Sequence, residues 1–177
     1  MSGMPAVAPD QPDEGNLNMH DHVDPETLEV RRLAYLARVR DIVAEHGWMI
    51  QAVMGGDGEP GFAYTVGLAK YNHPEFIVFA LHPDTAQSVL NGVGEQVRDH
   101  ENFVPGRYTT ILGNDMPAHL VRCDPAETAK RLTVARVIHG GPVDALQIVW
   151  PDKERRFPWE SGYELGDVQP ILGTVPA

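Results

Sequence analysis

Apolar residues recur along this chain with two periods, and the switches between them mark out the elements. From Asp24 the spacing is helical: Leu33, Leu36, Val39 and Val43 fall at three-to-four intervals, with Arg31, Arg32, Arg38, Arg40 and Asp41 largely off that stripe. Asp24 can cap this helix, Pro25 suits its first position, and Gly47 after His46 is a stop signal. Trp48 to Met54 then reads as a strand, followed by the glycine-rich turn Gly55 to Gly61. No Lys-Ser/Thr pair closes that turn and no helix follows, so it is read as a hairpin loop in place of a phosphate loop.

Phe62 to Leu68 and Phe76 to Leu81 are rich in aromatic and β-branched residues and predict a hairpin-like pair of strands. The second is apolar at successive positions, which predicts a central strand covered on both faces. The seven residues between them, Ala69 to Glu75, carry Lys70, Tyr71, Asn72, His73 and Glu75.

His82-Pro83-Asp84 opens a second helix with Ala86, Val89, Leu90, Val93 and Val97 on one face, weakened by Gly92 and Gly94 but with room for a close approach there. Arg107 to Leu112 and Ala118 to Cys123 predict two strands around Gly113-Asn114-Asp115. A capping box formed by Asp124 and Glu127 is expected to start a third helix ending near His139-Gly140-Gly141. Ala145 to Trp150 is the last predicted strand, and Pro151 to Ala177 is expected to wrap irregularly over the domain, anchored by Trp159 and Tyr163. Strands outnumber helices and three connections look like hairpins, so the expected class is α+β: a mostly antiparallel sheet with about three helices packed on it.

The chain has 177 residues, enough for one core, so a single domain over 24–177 is expected behind a disordered tail over 1–23 rich in Pro, Gly and polar residues. His20, Asp21 and His22 in that tail read as solvated sequence in preference to metal ligands, and no metal or other cofactor is expected. The net charge of -11 argues against a nucleic-acid surface. Cys123 is the one cysteine, which excludes an intrachain disulfide and suits a reducing, cytoplasmic setting. No apolar run approaches the ~20 residues of a membrane span, so no membrane partner is expected.

In order along the chain, Gly47-Trp48, Tyr64-Thr65-Val66-Gly67-Leu68, His73-Pro74-Glu75, Gln147-Ile148-Val149-Trp150-Pro151-Asp152, Phe157-Pro158-Trp159 and Gln169-Pro170-Ile171-Leu172-Gly173 resemble the motifs of a bacterial and phage family of domains of unknown function, number 4262. The resemblance implies that these motifs share one domain. It carries no assigned activity.

His73 is the foremost candidate for acid-base chemistry, because imidazole titrates near neutrality and Glu75, two residues on, is expected on the same side of an extended segment. Asp152, after the last strand, is a second carboxylate partner, and Thr65 is a hydroxyl that His73 could activate across the hairpin. Tyr64, Thr65, His73, Trp150, Arg156 and Trp159 are the expected ligand-contacting residues, with the late aromatic rings as a platform and Arg156 beside them. Two functions follow. One is a non-enzymatic module that binds a small ligand or a protein partner through the His73 loop and the Trp150 to Trp159 segment, meeting at a common depression. The alternative is a small hydrolase or transferase using His73 with Glu75 or Asp152, and a flavin-binding half-barrel is a weaker third. On the first of these, His73→Ala is expected to leave folding nearly intact while weakening binding.

Overall fold

The computed structural model describes residues 24–175; the tail, with His20, Asp21 and His22, lies outside the described residues. The elements run α1 (Pro25–His46), β1 (Met49–Val53), β2 (Phe62–Val66), a 3-10 turn (Leu68–Tyr71), β3 (Glu75–Phe79), α2 (Pro83–Arg98), β4 (Gly106–Tyr108), β5 (Ala118–Arg122), α3 (Pro125–Arg131), α4 (Thr133–His139) and β6 (Ala145–Val149). The class is α+β, as the alternation of periods predicts.

The six strands form one sheet in the order β1-β2-β3-β6-β5-β4. Neighbours are antiparallel except β3 and β6, which run parallel with Glu75 opposite Ala145 and Val78 opposite Ile148. The last strand in sequence therefore joins β1-β2-β3 to β5-β4. Every residue of β3 and of β6 is buried, which is why their sequences are apolar at consecutive positions.

Each face of the sheet has its own cover. On one face α2 packs Val89, Leu90 and Val93 against Ala63, Phe76, Val78, Leu146 and Ile148. On the other, α1 and α4 bring Val39, Leu132 and Ala135 against Tyr64, Val66, Ile77 and Phe79. Beyond them, Phe157, Trp159 and Ile171 of the carboxy-terminal segment cover Val121 and Val149. That segment is strapped down by two buried glutamines. Gln147 donates to the Pro170 carbonyl (2.7 Å) and accepts from the Leu172 amide (2.8 Å), while Gln169 brackets the backbone of Trp150 at 2.6 and 3.2 Å. Both side-chain amides act as substitutes for a strand ladder, satisfying backbone groups that burial would otherwise leave unpaired.

Four sequence expectations need correction. The α1 stripe is buried only at Leu36 and Val39; Leu33 is 53% exposed, because the first half of the helix overhangs the sheet. The expected third helix is two, broken at Leu132, whose side chain is fully buried, and the freed Val134 amide donates to the Tyr64 hydroxyl at 3.3 Å. No capping box forms, since Asp124 makes no side-chain cap and Glu127 pairs with Arg131 at 3.0 Å. The strand expected from Arg107 to Leu112 ends at Tyr108.

Of the two glycines of α2, Gly94 makes room for a ring. A Cβ at Gly94 would stand 2.5 Å from the Trp48 indole, whose nitrogen donates to Asn91 at 3.1 Å. Gly94→Ala is expected to cost about 1–3 kcal/mol by overpacking, in spite of alanine's better helix propensity; Gly92→Ala, where a Cβ meets nothing within 4 Å, should be neutral or stabilising in the same urea titration.

Candidate functional site

The polar end of the sheet is built around Glu75. Gly67, with φ +120°, ends β2 and turns the chain into the 3-10 segment, presenting the Gly67 and Leu68 amides to the interior. One Glu75 oxygen accepts from both, at 2.8 and 3.0 Å, and the other accepts from the Thr65 hydroxyl at 2.7 Å. Thr65 in turn accepts from the Phe76 amide at 2.8 Å, so its hydroxyl bridges the point where β2 and β3 diverge. The carboxyl is 2% exposed, and burial pushes its pKa up from 4.5 to about 7 against the opposing pull of these donors.

His73 is buried too, but toward the other face. Its ring stacks on Phe76 and meets Phe103 edge-on. Nδ1 lies 2.7 Å from the Pro74 carbonyl and Nε2 accepts from the Phe103 amide at 3.1 Å, so the ring is a neutral tautomer with its proton on Nδ1. Burial lowers its pKa. The expected shared side for His73 and Glu75 is not found: Asn72 is left-handed and the extended strand begins only at Glu75, so a two-residue spacing does not put both on one face. Thr65 bonds to Glu75, not to His73.

Asp152 is at the opposite end of the sheet. Because β3 and β6 are parallel, Glu75 lies where both begin, and Trp150 and Asp152 follow where β6 ends. Asp152 accepts from the amides of Glu154, Arg156 and Glu164 and from the Arg156 guanidinium at 3.2 Å, which organises the turn after Trp150. Trp150 is half-buried and its indole donates to the Phe79 carbonyl at 2.9 Å. Trp159 stacks parallel on Phe157, ring centres 5.1 Å apart, with His119 edge-on to both. Arg156 is committed to Asp152 and Glu164. Tyr64 is 1% exposed, facing α4. The expected meeting of the His73 loop with the Trp150 to Trp159 segment does not occur, since the parallel pairing holds them a strand length apart.

One hollow of about 490 Å³ lies beside Tyr71, His73 and His100, another of about 400 Å³ beside Trp159 and Gln169, and three more lie near Glu75 and the β1-β2 hairpin. Of these three, two flank Glu75: a polar one of about 420 Å³, to which Glu75 and His73 both contribute along with Asn72, His139 and Asp144, and a more apolar one of about 310 Å³ with Val43, Lys70, Ile138 and His139. The third, about 330 Å³, opens between β1, β2 and the start of α2 and has no charged residue in its lining. Small side chains create it: Ala52 and Ala63 on the strands, Ala86 on α2 and Gly61 at the hairpin leave space that Ile50, Val78 and Leu81 surround. No reactive side chain of the sequence motifs lines it. Its signal in the sequence is small residues at Ala52, Ala63 and Ala86 beside a glycine-rich turn; Ala63 and Ala86 are buried while Ala52 is exposed.

A family model described as Domain of unknown function (DUF4262) matches residues 42–164. No curated protein and no solved structure matches the chain.

Proposed function

The chain belongs to the DUF4262 family, whose domains have no assigned function, and from that premise we propose that it is a non-enzymatic module that binds a small, neutral, apolar molecule in the hollow between β1, β2 and α2. The observation that carries this reading is the lining: hydrophobic, glycine and proline residues with Gln87 as the one polar side chain, around a volume at the lower end of the ~300–1,000 Å³ of ligand pockets. Transfer of an apolar molecule from water into such a lining is favoured by roughly 25 cal/mol per Å² removed, and no ion has to be desolvated. The competing reading, a hydrolase or transferase, requires His73 to reach Glu75 or Asp152. Its two ring nitrogens face the Pro74 carbonyl and the Phe103 amide.

The test is titration with N-phenyl-1-naphthylamine, a neutral dye that brightens on burial. Saturable binding is expected, and Ala86→Leu, which fills the hollow from a helical position, is expected to weaken it at least ~tenfold, or about 1.4 kcal/mol, with the melting temperature held or raised. Dye binding that ignores this substitution places the ligand elsewhere.

A further inference from the structure

The apolar hollow changes character from its inner end to its mouth. Ala63, Val78 and Ala86 line it as buried residues, whereas Ala52, Met54 and Gln87 are exposed, Met54 at 84%. Gln87 follows Ala86 on α2, so the small side chain that leaves the space is next to the single polar side chain that borders it. Two other polar side chains of this helix have partners: Asn91 accepts from the Trp48 indole at 3.1 Å and Gln96 donates to the Gly92 carbonyl at 3.1 Å. The Gln87 amide has no partner among the described residues. It can donate and accept hydrogen bonds and carries no charge.

We propose, resting on the reading of this hollow as the ligand site, that its ligand is a neutral, oxygen-headed hydrocarbon, an alcohol or a ketone, with its chain at the inner end and its oxygen bonded to the Gln87 amide at the mouth. A wholly apolar occupant covers the amide from water and gives it nothing to bond. A second polar group farther along the chain lies against Ala63, Val78 and Ala86, where no side chain can satisfy it. An ionic head of either sign exchanges its hydration for a neutral amide, since no charged residue lines the hollow. The nearest charge along the helix, Asp84, stands outside the lining one turn before Gln87, with His82 at 3.8 Å. Gln87 therefore selects the head group, and the alanines leave room for the chain.

The test is displacement of N-phenyl-1-naphthylamine from the full chain by octan-1-ol, octan-2-one and octanoate, at about pH 8 so that octanoate is an anion. In the wild type the alcohol and the ketone should displace the dye at lower concentrations than octanoate. Gln87→Leu removes the bond to the head and should weaken the alcohol and the ketone at least ~threefold, with octanoate unchanged. Gln87→Lys supplies an opposite charge and should strengthen octanoate at least ~threefold. The position is exposed, so both variants should keep the wild-type melting temperature and still bind the dye. A wild-type chain that binds no dye overturns the ligand site and this inference with it. Dye binding that persists while all three competitors keep their wild-type affinities in both variants overturns the role of Gln87 alone, and octanoate binding to the wild type as tightly as the alcohol overturns the neutral head.

Discussion

Replacing Glu75 by alanine is expected to cost about 4 kcal/mol, while replacing it by glutamine costs little. The alanine variant strands three buried donors, the Thr65 hydroxyl and the Gly67 and Leu68 amides, at about 1–3 kcal/mol each before relaxation. Glutamine keeps an oxygen for the two amides and turns its own amide toward the Thr65 oxygen. The pH dependence separates the two roles of the carboxyl. Its folded pKa of about 7 lies above the ordinary 4.5, so the folded state holds the proton more tightly. The associated stability is complete below pH 4.5 and is lost as pH rises through 7, a total of about 3 kcal/mol. Urea titrations across that window should therefore show a falling slope in the wild type that Glu75→Gln lacks. An identical slope in both proteins would assign the effect to other groups.

His73→Ala is expected to destabilise the fold by about 3–4 kcal/mol, reversing the expectation drawn from sequence that folding would survive it. The ring is packed between Phe76 and Phe103, and its removal opens a cavity and leaves the buried Phe103 amide without an acceptor. The sign of its pH effect opposes that of Glu75. Burial lowers the imidazole pKa, so this contribution is whole above the unfolded value near 6.5 and is lost as pH falls. A melting temperature unchanged in the alanine variant would show that the ring is not part of the packed core.

These two residues also show where sequence reasoning stopped. The class, the position of every strand but β4 and the central place of β3 were legible because burial imposes its period directly on the residues, as in the unbroken apolar run Phe76 to Phe79, and the start and stop of α1 because Asp24, Pro25 and Gly47 mark them. The parallel pairing of β3 with β6 was not. Nothing in either strand encodes its direction relative to a partner seventy residues away, yet that direction is what separates His73 from Trp150 and Asp152. Polar residues in the motifs looked like reagents for a related reason. Glu75, Asp152, Gln147 and Gln169 each satisfy backbone groups in places where the ladder fails, and from composition alone a buried acceptor of amides is indistinguishable from a catalytic carboxylate. The break at Leu132 was hidden because its remedy, the Tyr64 hydroxyl, comes from a distant strand.

The place of β6 has a bearing on how the molecule is made. Strands β1 to β3 can assemble as they are synthesised, and β4 with β5 can do the same, but the two pieces share no ladder until Ala145 to Val149 slides between them. A ribosome that stalls before residue 145 would thus release a chain with two raw inner edges, β3 and β5, each open to any passing strand. Completion of the sheet is a late, long-range event, and the final strand acts as its keystone.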